Sequence, residues 1–166
     1  PPAETGEAMD DLVSQGKIRA YGVSNWNVEQ MRMGLAVGGN YAAWQPRYSL
    51  MARQVERDVL PFCQAGGLGV MVFSPLHHGL LTGKYKGTET FDDLRKGHED
   101  FTGDRFKKAC DAMREVGKIG SNYSLSPVQT VLAVTLMHPA VHSAIVGIKR
   151  PEHIEEAVGA AGKTLS

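Results

Sequence analysis

Cysteine and long apolar runs are both scarce in this chain. Cys63 and Cys110 are its only cysteines among 166 residues. Two cysteines are too few for a disulfide framework and lack metal-site spacing, which favours a reducing cytosol. No apolar run approaches the ~20 residues of a membrane span, and residues 1–5 lack the basic and apolar regions of a signal peptide. The sequence therefore predicts a soluble cytoplasmic protein without membrane contacts.

An excess of charge of either sign is also missing. Eighteen Lys and Arg residues balance eighteen Asp and Glu residues, so there is no large field to attract nucleic acid. With 42% hydrophobic residues, a chain of this length can bury one sizeable core, and residues 1–166 are predicted to form a single domain. The chain begins at Pro1 without an initiator Met, which predicts processing or truncation.

Several familiar site motifs are absent as well. No Gly-x-Gly-x-x-Gly fingerprint occurs, and residues 79–84 fail as a P-loop because only three residues separate the two glycines. His77 and His78 are adjacent and cannot both face one site from a regular strand. His138 and His142 flank a proline that breaks the helical spacing of a metal pair. The sequence predicts no metal site.

Helix and strand signals alternate along the whole chain, which is the pattern of βα units and a parallel sheet. Strands are predicted at 18–23, 41–45, 68–73 and 143–147, and helices at 5–15, 27–36, 53–65, 103–121, from Ser126-Pro127 to Pro139, and from Pro151. The stretch 74–102 is rich in Gly, Thr, Asp and Lys and is too long for an ordinary connection. We expect it to be a functional loop, mobile because it has few apolar anchors.

Three sequence motifs stand at strand ends. They are Gly-Val-Ser-Asn ending at Asn25, Gln45 followed by Tyr-Ser-Leu, and Ser-Pro-Leu from Ser74 followed by Gly-Leu-Leu-Thr-Gly-Lys-Tyr from Gly79. In this order they closely resemble the late strands of the aldo-keto reductases. Since eight barrel strands need about 250 residues, the resemblance implies an α/β fold, the C-terminal half of a (β/α)8 TIM barrel with four βα units.

The resemblance also implies a nicotinamide site. Ser24, Asn25 and Gln45 match the residues that fix the carboxamide, although a Ser-Asn pair taken alone is more often a turn or a helix cap. Phe73 matches an aromatic ring that covers one nicotinamide face, or is an ordinary core residue at a strand end. Ser74, Leu76 and Gly79 match a loop whose free backbone N–H groups receive the pyrophosphate.

A second part of the implied site follows the last strand. Gly147, Lys149 and Arg150 precede a helix start, where cations and free N–H groups attract phosphate. In the family this region holds the adenosine 2′-phosphate and adenine of NADP. His153 matches the usual basic or Gln position and Glu156 the acidic one, whereas Ala157 replaces the following Asn.

The resemblance finally defines function and its alternatives. The family's catalytic Tyr, Lys, His and Asp belong to the N-terminal half, and nothing in this chain matches them. We therefore expect the cofactor-binding half of an oxidoreductase that uses NADPH, or NADH, to reduce small aldehydes or ketones. The alternative is a catalytically silent, nicotinamide-binding regulatory or scaffold subunit. Because two strand edges would be unpaired, the chain should require the N-terminal half-barrel or self-association.

Overall fold

A parallel sheet of four strands forms the centre of the structure. The computed structural model describes residues 2–166. The strands lie side by side in chain order, and each pairs in parallel with the next. They are β1 (Tyr21–Ser24), β2 (Tyr41–Gln45), β3 (Gly69–Phe73) and β4 (Ser143–Ile145).

Helices connect the strands, as the alternating sequence pattern predicted. They are α1 (Pro2–Ser14), α2 (Val28–Ala36), α3 (Val59–Gly66), α4 (Gly103–Ser121), α5 (Pro127–Leu136) and α6 (Pro151–Val158). Short 3-10 turns cover Gln54–Glu56, His77–Thr82 and Glu99–Phe101. Asn27 and Ser126 form capping boxes at the starts of α2 and α5, with Gln30 and Gln129 as their partners. None of the helices within residues 2–166 is long and apolar enough to cross a bilayer.

The main core lies between the sheet and the helices. Trp44 of β2 and both Val70 and Val72 of β3 are completely buried there, packed with Met31 of α2 and Leu60 of α3. Because successive side chains of a strand point to opposite faces, Met71, between these valines, points away from the helices. The helix-facing side of the sheet is therefore closed by the chain itself.

The opposite face of the sheet is open. Met71 lies between Val70 and Val72 and is 39% exposed, and Ile145 of β4 is 42% exposed. Phe73 pairs with Ile145 in the register of β3 and β4. In a (β/α)8 barrel this face is the barrel interior, filled by side chains from all eight strands. The structure is thus half of such a barrel, as the sequence predicted.

A close backbone approach aligns the ends of β1 and β2. Their register shifts between Tyr21 and Gly22. A Cβ on Gly22 would lie 2.3 Å from the carbonyl oxygen of Ala43, so only glycine fits there. Beyond this point the pairing is regular and ends with Ser24 opposite Gln45.

Candidate functional site

The predicted carboxamide residues meet at the carboxyl ends of neighbouring strands. Ser24 is exposed at the end of β1, and its hydroxyl donates a hydrogen bond to the Gln45 carbonyl oxygen at 3.0 Å. The backbone N–H of Asn25 donates to the same oxygen at 3.4 Å. Asn25 has a left-handed backbone (φ 58°), which costs energy for a residue other than glycine and is common at functional sites. Gln45 follows the helix-facing Trp44 and therefore points to the open face.

The exit of β3 forms a compact turn beside these residues. The Phe73 N–H donates to the Pro46 carbonyl at 3.0 Å, which places the half-buried Phe73 next to the end of β2. Ser74 again has a left-handed backbone (φ 54°). The Gly79 N–H donates to the Leu76 carbonyl at 2.9 Å. The tight turn itself uses the Gly79 N–H, and Gly79 (φ 88°) serves to form that turn; its contact with a pyrophosphate stays a prediction.

Three basic side chains surround the start of α6. Lys149 and Arg150 are exposed, and an Arg150 Nη2 atom lies 3.2 Å from His153 Nε2. The Lys149 N–H approaches His153 Nδ1 at 3.5 Å. Gly147 is exposed at the end of the preceding strand. The structure thus brings Gly147, Lys149, Arg150 and His153 together.

Glu156 lies one turn further along α6 and contacts α5. One of its carboxylate oxygens accepts a hydrogen bond from the Ser126 hydroxyl at 2.7 Å, and its carbonyl accepts one from Gln129 Nε2 at 3.2 Å. Both partners belong to the α5 capping box. Glu156 therefore joins the two helices and presents only part of its carboxylate to a ligand.

The loop 74–102 contains a buried hydrogen-bond network that was not expected from sequence. His77 is 2% exposed and Asp100 is 4% exposed, and His77 Nε2 lies 2.8 Å from an Asp100 oxygen. Ser49 Oγ lies 3.4 Å from His77 Nδ1 and already accepts bonds from the Met51 and Ala52 amides. Since both lone pairs of Ser49 are taken, its hydroxyl donates to Nδ1. The His77 proton therefore resides on Nε2 and is donated to Asp100.

Electrostatics keep His77 neutral and Asp100 ionised. Burial lowers the pKa of His77 and outweighs the hydrogen bond from this ring to Asp100, which raises it. Burial alone would raise the pKa of Asp100, but hydrogen bonds from His77 and Arg105 together lower it. Arg105 binds the second oxygen of Asp100. Ser49, His77 and Asp100 are arranged like a nucleophile, base and acid, but Ser49 is fully buried and its oxygen is already occupied.

The same loop brings histidines together against expectation. His77 and His78 lie on a 3-10 turn with left-handed backbones, and their ring centres are 5.9 Å apart. The sequence-based prediction considered a regular strand, whereas these residues form a turn; the group that could hold a metal contains His77 but not His78. One ring nitrogen of His77, one of His98 and one carboxylate oxygen of Asp100 all lie within 4.8 Å of one another. Two of these three residues, His77 and Asp100, are already hydrogen-bonded to each other.

Apolar residues also anchor the loop firmly. Leu80, Leu81 and Phe101 are buried, and Phe91 packs edge-on against Phe101 at 5.2 Å between ring centres. The expectation of few apolar anchors is wrong, since aromatic residues scattered through the sequence meet in space.

Two basic residues act on Asp93 in the middle of the loop. Hydrogen bonds from Arg95 are the main reason that the pKa of Asp93 is lowered to about 2, and the charge of Lys149 contributes. The loop that follows β3 therefore brings Asp93 within the electrostatic influence of Lys149.

A cleft of about 370 Å³ lies beside the strand ends. Its lining includes Asn25 and Trp26 after β1, Arg47 after β2, and His98 and Arg105 from the long loop and α4. Arg47 forms a parallel bridge with Phe73 at the sheet edge. The contribution of Arg47 was not predictable from the sequence, because a single arginine after a strand carries no motif.

Comparison with known proteins reveals a consistent set of relatives. The model of the aldo/keto reductase family matches residues 1–166. The chain is 35% identical to aldo-keto reductase YhdN of Bacillus subtilis, over 100% of this chain and 51% of that protein. It is 33% identical to a putative voltage-gated potassium channel subunit beta of Schizosaccharomyces pombe, over 96% and 50%. An NADH-specific methylglyoxal reductase of Escherichia coli is 31% identical, over 100% and 51%.

A solved structure agrees with these relatives. Glycerol dehydrogenase from Gluconobacter oxydans superposes with a TM-score of 0.94 at 32% identity, covering 100% of this chain and 51% of that one. The chain therefore spans about half the length of the proteins that it matches.

Proposed function

Because the chain belongs to the aldo/keto reductase family, we propose that it is the cofactor-binding half of an NADPH-dependent oxidoreductase that reduces small aldehydes or ketones to alcohols. The observation that carries this proposal is the meeting of Ser24, Asn25 and Gln45 at two neighbouring strand ends, with Phe73 beside them. In this proposal residues 1–166 form one domain, and 74–102 is its functional loop. The two cysteines are buried and unpaired, which favours the reducing cytoplasm as location.

The residues at the strand ends fit a nicotinamide group. The Asn25 and Gln45 side chains each offer an amide donor and an oxygen acceptor, and a carboxamide needs both. Phe73 lies at the end of β3 on the open face, where a flat ring can cover one side of the nicotinamide. When bound, the nicotinamide supplies the hydride, and this chain orients it.

The basic cluster at α6 fits an anionic group at the other end of the cofactor. Lys149 and Arg150 supply permanent charge, and Ser74 and Leu76 remain proposed pyrophosphate contacts through their backbone. Ala157 lacks the amide that the family pattern has at this position, so part of the adenine contact is missing. Because only Lys149 and Arg150 of this cluster carry permanent charge, the preference for NADPH over NADH should be modest.

The proton donor of this proposal lies outside the chain. The family's catalytic Tyr, Lys, His and Asp have no matching positions here, so reduction requires the rest of the barrel. The test is to measure NADPH oxidation with a panel of aldehydes, using the protein at the length its host produces. Aldehyde-dependent oxidation supports the proposal, and its absence alongside tight NADPH binding supports the silent subunit instead.

The silent regulatory or scaffold subunit is the second candidate. Its support is the 33% identity to the putative potassium channel subunit beta of Schizosaccharomyces pombe. Both candidates use the same nicotinamide residues, so NADPH binding alone does not separate them. Turnover does.

The proposed 2′-phosphate contacts give a separate prediction. Replacing Lys149 and Arg150 together by Ala should raise the Kd for NADPH about tenfold or more while leaving the Kd for NADH nearly unchanged, because only NADPH carries the extra phosphate. Calorimetric titration of the whole protein measures both constants. Equal weakening of both cofactors would place these cations at the pyrophosphate instead.

A further inference from the structure

Arg47 lies at the carboxyl end of the sheet, just after β2 and next to the proposed nicotinamide contacts. It follows Gln45 by two residues and forms a parallel bridge with Phe73. The backbone on both sides of it is fixed, since Pro46 accepts from the Phe73 N–H at 3.0 Å and the Tyr48 N–H donates to Phe73 at 3.3 Å. A group that binds Arg47 is thus held beside both proposed nicotinamide contacts, Gln45 and Phe73.

The charge of Arg47 is not balanced by any carboxylate in the described part of the chain. Arg53, Arg95 and Arg105 each pair with an acidic side chain, whereas Arg47 forms no ion pair among residues 2–166. Its Nε atom is buried and has no hydrogen-bond partner. An unpaired buried donor is unfavourable, so a ligand that supplies an acceptor to this guanidinium removes that cost.

The acidic residues of the cleft pair with Arg105 and form no ion pair with Arg47. Asp100 is bound by His77 and by Arg105, and Glu99 lies 3.2 Å from Arg105. Arg47 Nη2 faces His77 Nδ1 at 3.4 Å, an uncharged acceptor. The charge of Arg47, after the larger effect of burial, also helps to lower the pKa of His78. Arg47 is therefore the arginine of the cleft lining that has no ion-pair partner, and it can pair with an incoming anion.

The remaining walls of the cleft are suited to a small organic molecule. Trp26, Met51 and Val55 supply apolar surface, and the volume of about 370 Å³ falls in the range of small-ligand sites. A guanidinium matches the planar geometry of a carboxylate with two parallel hydrogen bonds. A single arginine also suits a single negative charge better than a phosphate dianion.

We propose that Arg47 binds a carboxylate of the substrate, so that the enzyme prefers aldehydes or ketones that carry a carboxylate a few atoms from the carbonyl. This inference rests on the reductase function proposed above. The carboxylate is anchored at the cleft, and the carbonyl end of a short molecule then lies over the nicotinamide position between Gln45 and Phe73.

Direct binding tests the anion site without catalysis. The probes are succinate, its uncharged diamide and inorganic phosphate, titrated into the protein at the length its host produces. Trp26 lines the cleft and reports binding by fluorescence, with calorimetry as the measurement if fluorescence does not change. Succinate should bind, the diamide should not, and Arg47→Gln should weaken succinate at least tenfold. Arg47→Lys should retain part of the affinity.

Arg53→Gln is the matched control. Arg53 belongs to the same connection after β2, but it pairs with Glu56 and does not line the cleft. It should bind succinate like the wild type. Unchanged succinate binding in Arg47→Gln, or tighter binding of phosphate than of succinate, overturns the proposal.

Kinetics test the substrate class. For an aldehyde bearing a terminal carboxylate, Arg47→Gln should lower kcat/KM at least tenfold, mainly through KM, and the amide analogue should change less than twofold. Equal losses for both aldehydes overturn the proposal, because Arg47 would then act on the cofactor or the fold. If Arg47-dependent succinate binding occurs but no aldehyde is reduced, the reductase function fails and the anion site stands.

Discussion

At the scale of single residues, the buried His77 of the long loop makes the free energy of unfolding depend on pH. Burial holds its pKa below the ordinary value of 6.5. Below that pH the unfolded chain binds more protons than the folded chain, so the free energy of unfolding falls as the pH falls from 6.5. Asp100, whose pKa is lowered by His77 and Arg105 against the effect of burial, adds a loss at more acidic pH.

We predict that His77→Asn makes the unfolding free energy less dependent on pH between about pH 5 and pH 7. Asn tolerates the left-handed backbone of this position (φ 46°). At pH 7 the variant should lose about 1–3 kcal/mol, because Asp100 loses a buried partner. Urea unfolding at a series of pH values measures both effects. Some dependence of the unfolding free energy on pH should persist, since burial also lowers the pKa of His78. A slope equal to that of the wild type would refute the prediction.

At the scale of elements, the contact of α4 with α5 depends on one glycine. A Cβ at Gly120 would lie 2.1 Å from the Thr130 Oγ1 atom, which donates to the Ser126 carbonyl at 2.8 Å. Gly117 is one turn earlier on the same helix, and its nearest neighbour would be Pro127 at an ordinary 3.5 Å.

We predict opposite effects for these two glycines. Gly120→Ala should destabilise the fold by about 1–3 kcal/mol, because the helices must separate. Gly117→Ala should stabilise it by about 0.5–1 kcal/mol through helix propensity. Chemical denaturation of both variants measures the difference, and a shift in the same direction for both would contradict this account of the packing.

Elements were predictable where a local signal fixes them. The helices predicted from residue 27 and from Ser126-Pro127 do begin there, with capping boxes at Asn27 and Ser126. The helix expected from residue 53 begins at Val59, because Asp58 caps its first amide at 2.6 Å and the preceding residues form a 3-10 turn. The apolar spacing before Asp58 suits either conformation, so periodicity did not separate them.

The candidate site was only partly predictable for a related reason. Ser24, Asn25 and Gln45 stand at strand ends, and parallel strands bring such ends together. The bond between His77 and Asp100 spans 23 residues of loop, where neither periodicity nor spacing predicts contacts. The significance of Arg47 depends on the absence of a carboxylate partner in three dimensions, which a sequence does not display.

At the scale of the whole molecule, the exposed inner face of the sheet governs behaviour in solution. Met71 and Ile145 are exposed on that face, and β1 and β4 are edge strands within the described chain. We predict that residues 1–166, prepared alone, self-associate through this face and show no aldehyde reduction. Sedimentation velocity measures the association.

Two substitutions distinguish self-association through the inner face from self-association through other apolar surface. Ile145→Lys should reduce self-association, because it charges the inner face. Ile154→Lys is the control, since Ile154 is 51% exposed on α6 and should have no such effect. A monomer at micromolar concentration, or equal effects of the two changes, would refute this prediction.

The strand order also determines how the chain can assemble. Because spatial order equals chain order, each strand finds its partner in the segment synthesised just before it. Loop closure is then never required across the whole chain, and folding can advance from the N-terminus one unit at a time during translation. β3 and β4 are the exception, separated by 69 residues between Phe73 and Ser143 that include α4 and α5. Closing this segment should therefore be the slow step of folding.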